Sequence, residues 1–494
     1  HKMTDKELRH ARVSRLSAWN DDIWEFDRDT PGSYKVLYTI NWNFRFQDGS
    51  ALTDGAHNDL FNYLKRSVWA WLCNKPGKLP RKFNNSEGIK QKLRVFLEWM
   101  EQSGRGEIDE IDEEAASEFI TWNIRRYTDE DIENFCDLDH EDGENREVHA
   151  TTLASSLLVL EMIYDARNDL SALGCKTPKG KHPFEHATRF SLMQSFARSS
   201  ISGTPEIPDE KFIPIVNRCF EILQASWVTP MVELMQEVGK IAGNGESRRR
   251  DIKQYIRNNG SIFIEEYAVR PINIELDHVL FKAAKELTNA AGIIIYALAG
   301  LRQSELCGLQ GSPDDTGQEI AKIISVTRTF DDEFELFKVH GFIYKRRPKP
   351  RATSWLLGMR PIGSQYLPPP VIAVNLLDKM YQNWRPAGGC LLVTVRAGQL
   401  RETYSARVRT RQQSFIQRIG HGPAATDAPI TPRMWRKTFA RYMYRTNSRL
   451  LPAIRNHLQH MSMALTEKAY CEPPPGMLDL LRDARVQEAG DFIT

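Results

Sequence analysis

The sequence of 494 residues has no uninterrupted apolar run of about eighteen residues, the length a membrane-crossing helix needs. Its seven cysteines (73, 136, 175, 219, 307, 390, 471) are odd in number, scattered, and never arranged as Cys-x-x-Cys. That pattern argues against a disulfide framework and against a structural zinc site, and it suits a reduced cytosolic protein. An excess of one charge is also missing: 66 Lys and Arg against 64 Asp and Glu leave a net charge of +2. A polyanionic partner is neither demanded nor excluded by that balance. No internal repeat of useful length is visible, and no signal peptide follows His1-Lys2-Met3, which reads as a tag remnant before a native methionine.

What is present is ordinary in bulk and uneven in detail. Hydrophobic residues at 41% and charged residues at 26% suit a soluble globular chain, and the length predicts about two or three domains. Residues 105–147 are acidic, whereas "GFIYKRRPKPR" (341–351) and "RETYSARVRTRQQSFIQR" (401–418) are strongly basic. The acidic "DLDHEDGEN" (137–145) resembles a calcium loop only loosely, since its glycine falls one place too late for the EF-hand order; a solvated loop is expected.

Residues 1–50 read as an N-terminal extension, either an accessory segment for further contacts or one that packs on the helical domain that follows, and "YKVLYTINWNF" in it can hold a strand. Helical spacing begins with "GAHNDLFNYLKRSVWAWLC" (55–73), where Leu60, Tyr63, Leu64, Val68 and Leu72 share a face. Further helical patterns over 88–102, 113–127 and 149–173 predict a small helical domain across 51–175. A stretch rich in Gly, Pro, Lys and Ser predicts a linker over 176–208. The rest, 209–494, reads as a second domain with helices at 209–226, 230–242 and 275–299 and a basic patch at Arg248, Arg249 and Arg250. Residues 227–275 look like an insertion without an evident role. Between 319 and 357 the period changes: "EIAKIISV", "FELFKVHGFIY" and "ATSWLL" read as three short strands. The expected class is therefore mainly α with a small antiparallel β-sheet.

Three stretches carry residues suited to chemistry. In "GIIIYALAGLRQSELCGL" (292–309), residues 293–299 are apolar on every side, so the helix is buried, and Arg302 emerges two residues after Gly300. A cation leaving a buried segment needs an anionic partner. Glu305, one turn on, can serve; so can a ligand phosphate, which a planar guanidinium grips with two parallel hydrogen bonds. "TPRMWRKTFARYMYR" (431–445) packs five cations among Trp435, Phe439, Tyr442 and Met443. At about 100° per residue those four residues cluster on one face, with Arg433 and Lys437 almost opposite and Arg441 and Arg445 far round. Arg436 sits at the edge of the apolar face, where half-burial would demand a specific partner. Finally, "RLLPAIRNHLQHMSMALTEKAY" (449–470) ends an apolar helix on Gln459 and His460, with Tyr470 ten residues further on. A lone histidine there is ordinarily a cap and a lone tyrosine ordinarily core. The His457–His460 spacing lacks the carboxylate or cysteine a metal site would add.

Taken in order, "GLRQSEL", a Lys-bearing hairpin, "RMWRKTFA", "LQH" and the later tyrosine resemble the tyrosine recombinase (phage integrase) family over the whole C-terminal half. The 51–175 segment is similar to that family's core-DNA-binding domain, and the two domains would form a C-shaped clamp on DNA. The resemblance implies that Arg302 and Arg436 grip the non-bridging oxygens of a scissile phosphate. It implies Lys345 as the general acid, with Lys349 a second candidate in the same turn, His460 as a hydrogen-bond donor to the phosphate, and Tyr470 as the nucleophile. Arg346, Arg347, Lys349, Arg351, Lys437, Lys65 and Arg66 would contact the DNA. No cofactor and no metal are implied. The partners implied are double-stranded core recombination sites, a homo-tetramer assembled on DNA from free monomers, and accessory DNA-bending or directionality proteins, with no membrane; the location is the bacterial cytosol.

The sequence departs from the family's His-x-x-Arg-His box, since Arg433 stands at the first histidine position and Lys437 at the second. A histidine can trade a proton with the nucleophile; an arginine stays charged, and can only stabilise the transition state or lower the pKa of Tyr470. Gln459 replaces the usual glycine before His460. The tail "GMLDLLRDARVQEAGDFIT" (476–494) either packs on its own domain or docks on a neighbouring subunit. The implied function is a site-specific recombinase of a mobile element. A type IB topoisomerase-like nicking-closing enzyme and a non-catalytic DNA-binding protein of the same fold are the alternatives.

Overall fold

The computed structural model describes residues 5–8, 10–28, 30–33, 38–73, 86–128, 150–194, 204–243, 245–267, 276–312, 320–344, 350–386, 388–396, 398–401, 403, 405–421, 429–447 and 451–458. The chain is mainly α with small antiparallel sheets, and it divides into two compact units, His1–Ser202 and Gly203–Thr494.

The first unit reaches beyond the expected helical domain at both ends. Of the two readings of the first fifty residues, packing on the helical domain is the one their described residues follow. A short hairpin of β1 (Ile23–Glu25) and β2 (Thr39–Asn41) places Trp24 opposite Ile40. Trp19, Trp24, Phe26, Tyr38, Ile40 and Trp42 are buried in one core with the apolar faces of α1 (Asn58–Cys73), α2 (Ser86–Gln102) and α3 (Glu113–Thr128). Each large apolar side chain taken out of water there contributes about 1.5–3 kcal/mol, and a three-residue strand has no stability without it. At the other end, Met193 is fully buried in the same core and the backbone N–H of Lys179 donates to the Ile111 carbonyl at 2.7 Å. Much of the stretch expected as a linker is therefore folded onto this unit. The acidic 137–145 segment lies outside the described residues.

Helix α1 buries Leu60, Tyr63, Leu64, Val68 and Leu72 as their spacing predicts, but it also buries Lys65 and Arg66, at 2% and 3% exposure. The expectation that these two cations meet DNA does not hold. The Lys65 ammonium donates to the Trp19 carbonyl at 2.7 Å and lies 4.5 Å from the Phe61 ring centroid, with Trp24, Trp42 and Trp19 at 5.3, 5.8 and 5.9 Å. Ring faces attract a cation that has lost its water. Burial nevertheless pushes the Lys65 pKa down to about 8, against the Asp22 and Asp21 carboxylates, which favour the charged form. Below about pH 8 the cost of burying the charge is fully present. Between 8 and the ordinary 10.5 the unfolded chain holds a proton that the folded one has lost, so stability rises with pH. The unfolding free energy of the natural chain, minus that of Lys65→Met, should thus increase across this window in denaturant titrations; a difference independent of pH would contradict the assignment.

The second unit is organised around α4 (Leu276–Ala299), whose residues 293–297 are buried on every side as their composition predicts. Helices Asp209–Leu223, Val228–Lys240 and Pro369–Tyr381 pack on it. The region read as an insertion supplies part of this core through Met231, Met235, Val238, Ile252, Ile256 and Phe263. Three antiparallel strands, β3 (Ile324–Arg328), β4 (Phe334–Ile343) and β5 (Arg351–Pro361), form the expected sheet in the order β3-β4-β5. Its inner face buries Phe337, Val339, Trp355 and Leu357, and the pairing of Ile343 with Arg351 closes the β4–β5 hairpin.

Candidate active site

Helix α4 ends at Gly300, whose φ of +61° is the left-handed turn that favours glycine at a helix C-terminus. A Cβ at this position would lie 2.5 Å from the Phe439 ring, so the glycine also permits close approach of α5 (Pro432–Thr446). Two residues later Arg302 begins the short helix Gln303–Cys307, and Glu305 turns back onto it. The Glu305 carboxylate, 1% exposed, accepts from the Arg302 backbone N–H at 2.7 Å and from its Nη1 at 2.5 Å. Here the local partner anticipated for Arg302 is realised, and it leaves the guanidinium about one-fifth exposed.

The second arginine arrives from a distant part of the chain. Helix α5 buries Met434, Trp435, Arg436, Thr438 and Ala440, whereas Met443, expected on the buried face, is 38% exposed. Arg436 lies deeper than its wheel position predicts, with 8% of its side chain exposed. Its Nη1 donates to the Gly300 carbonyl at 2.7 Å and its Nη2 to the Leu458 carbonyl at 2.6 Å. The same Nη1 lies 3.6 Å from the Glu305 carboxylate, so one buried acid stands between two arginines. Arg302 Nη2 makes a longer contact, 3.5 Å, to the same Leu458 carbonyl. Both guanidinium groups thus converge on one oxygen. With Glu305 between them the cluster carries one net positive charge.

Leu458 follows α6 (Leu451–His457), the last helix described. His457 Nε2–H donates to the Ala299 carbonyl at 2.8 Å, so the last carbonyls of α4 are capped by His457 and Arg436, the residue types that helix C-termini favour. Burial holds the His457 imidazole below its ordinary pKa; the Ala299 carbonyl opposes this and the Arg436 cation adds to it. His457 therefore serves here as a neutral donor. Spacing alone cannot reveal this role, because it depends on where a helix 158 residues away ends.

Of the other anticipated residues, Arg433 is exposed on α5, Lys437 is half-buried there, and Arg351 is exposed at the start of β5. Lys345, Arg346, Arg347, Lys349, His460, Tyr470 and the tail 476–494 lie outside the described residues. Arg441 and Arg445, far round the helix from its apolar face, pair with Glu206 at 3.1 and 2.9 Å, and Thr438 Oγ1 accepts from the Ile207 N–H at 2.8 Å. The chain entering the second unit is thereby fastened along the helix that carries Arg436. Among the described residues no group of three His, Cys, Asp or Glu is placed to hold a metal ion, and no helix is long and apolar enough to cross a membrane.

No protein-family model and no curated protein matches the sequence. Among solved structures, the chain is similar to the Tn1549 transposon integrase in complex with circular intermediate DNA, at 13% identity and a TM-score of 0.42, over 86% of this chain and 98% of that one. It is also similar to the XerH site-specific recombinase bound to difH substrate, at 14% identity and a TM-score of 0.35, over 80% of this chain and 78% of that one. XerA recombinase is a third, at 12% identity and a TM-score of 0.28, over 86% of this chain and 98% of that one. Likeness at this level assigns no function.

Proposed function

We propose that the chain cleaves and rejoins DNA strands as a site-specific recombinase or integrase of a mobile element, through a 3′-phosphotyrosyl intermediate and a Holliday junction. The observation that carries this reading is the convergence of Arg302 and Arg436 on a single oxygen beside the buried Glu305. Two preorganised guanidinium groups aimed at one oxygen are the arrangement that balances charge developing on a phosphorane. Buried Glu305 keeps both arginines in place and leaves the pair one positive charge for an anion.

In this reading Arg302 and Arg436 hold the non-bridging oxygens of the scissile phosphate. The Tyr470 oxygen attacks phosphorus, the bond to the 5′ oxygen breaks, and Lys345 supplies the proton that oxygen takes up. Lys349 remains the alternative donor. His460, two residues beyond the carbonyl on which the arginines meet, hydrogen-bonds the phosphate. Phenol has an ordinary pKa of about 10, so Tyr470 loses its proton as it attacks, assisted by the surrounding cations. The phenolate is also a good leaving group, so attack by a free 5′ hydroxyl reverses the step and reseals the strand without a nucleotide. Arg433, exposed on the same helix, offers charge stabilisation in place of the proton exchange a histidine would provide. Four such subunits on two duplexes would exchange strands in turn.

The test is to incubate the protein with nicked element-end DNA in EDTA and to resolve protein–DNA adducts on a denaturing gel. A covalent complex that Tyr470→Phe abolishes is expected. An adduct that requires a divalent metal would overturn the mechanism, and absence of any adduct would favour a DNA-binding protein that has lost its chemistry.

A further inference from the structure

The first unit carries a cleft of about 630 Å³ between the turn that follows β2 and the outer faces of α2 and α3. That volume falls in the range of small-ligand sites, about 300–1,000 Å³. The turn is rigidly built: the Leu52 and Phe46 N–H groups donate to the Phe44 and Ser50 carbonyls at 2.9 Å, and Glu101 of α2 accepts the Gln47 N–H at 2.5 Å. It thus holds Arg45 and two half-buried aromatic rings, Phe44 and Phe46, at the rim of the cleft.

The opposite wall is cationic. Arg94, Arg125 and Arg126 line it together with Glu98. Glu98 is already engaged, accepting from Arg94 at 2.8 Å and from Arg126 at 3.2 Å. Glu101 is likewise engaged by the turn. Four guanidinium groups therefore face the cleft against two carboxylates, and both carboxylates orient donors. Arg126 lies 5.3 Å over the Trp122 ring, whose other neighbour is the buried Phe119, stacked at 6.2 Å. The wall consequently sets a guanidinium group beside an aromatic pair.

We infer that this cleft binds an unpaired nucleotide, its phosphate on the arginines and its base against the aromatic and guanidinium planes. Planar π surfaces interleaved with cations are the combination that single-stranded nucleic acid selects, because every base has a face to stack and every linkage a charge to neutralise. A fully paired duplex hides its base faces and could use the arginines alone. The inference concerns the first unit and is independent of strand cleavage.

The experiment uses the full chain and fluorescence anisotropy with three probes: a labelled short oligothymidylate, the same length as a perfect duplex, and free dTMP as competitor. The single strand should bind more tightly than the duplex. Arg45→Gln combined with Arg125→Gln, both at exposed positions, should weaken single-strand binding about tenfold and flatten its logarithmic salt dependence by about 0.7 for each phosphate that is no longer neutralised. Phe44→Leu, which keeps the apolar volume but removes the ring, should weaken the single strand and leave the duplex unchanged. Competition by dTMP assigns a free nucleotide as ligand; its failure assigns a nucleotide within a strand. Unaltered single-strand affinity in these variants, with melting curves showing them folded, would overturn the inference. Because adduct formation depends on Tyr470 and not on the cleft, either result can fail while the other stands.

Discussion

Arg436→Ala should reduce formation of the covalent DNA complex by a factor of about a hundred to a thousand, the loss that follows removal of one preorganised donor from a developing oxyanion. Its guanidinium spans the Gly300 and Leu458 carbonyls at 2.7 and 2.6 Å, and no other side-chain type reaches two acceptors in that planar fork. Arg436→Lys should therefore be nearly as damaging, since an ammonium is a point charge. Single-turnover adduct formation on nicked DNA, with thermal melting alongside, separates lost chemistry from lost structure. Wild-type adduct rates in Arg436→Lys would show that the second arginine does not touch the phosphate.

Glu305→Ala should destabilise the second unit by about 3–5 kcal/mol, the range found when one partner of a buried ion pair is removed. The carboxylate accepts two hydrogen bonds from Arg302 and stands 3.6 Å from Arg436, so its loss leaves two confined cations facing each other without a counter-charge. Glu305→Gln keeps an acceptor for the Arg302 N–H but not the charge, and should fall between the two in urea denaturation. A full-length chain as stable as the natural one after Glu305→Ala would mean that the arginines are balanced elsewhere.

Much of this architecture is legible in the residue pattern. Seven consecutive apolar residues (293–299) before Gly300 point to a buried helix end, and alternation in "FELFKVHGFIY" points to a half-buried strand. The wheel of α5 singles out Arg436 among five cations. It misplaces Met443 because the elements packed against a helix, not its period, decide how far round its buried face reaches. Lys65 and Arg66 illustrate the opposite error. On a helix with an apolar face, cations read as solvated, but of the rings that enclose Lys65 only Phe61 lies on its own helix; Trp19, Trp24 and Trp42 come from a segment whose packing on this helix no residue spacing records.

By itself the sequence determined the class of fold, the burial of α4, the strand triplet, and the candidacy of Arg302 and Arg436, because these follow from local periodicity and from the cost of burying charge. Only the tertiary structure decided that the two arginines share one carbonyl, that Glu305 serves both, that His457 is a helix cap, and that Trp19, Trp24, Tyr38 and Trp42 belong to the first core. Those outcomes depend on which distant carbonyls and rings are left without partners when the helices close, and residue spacing holds no record of that.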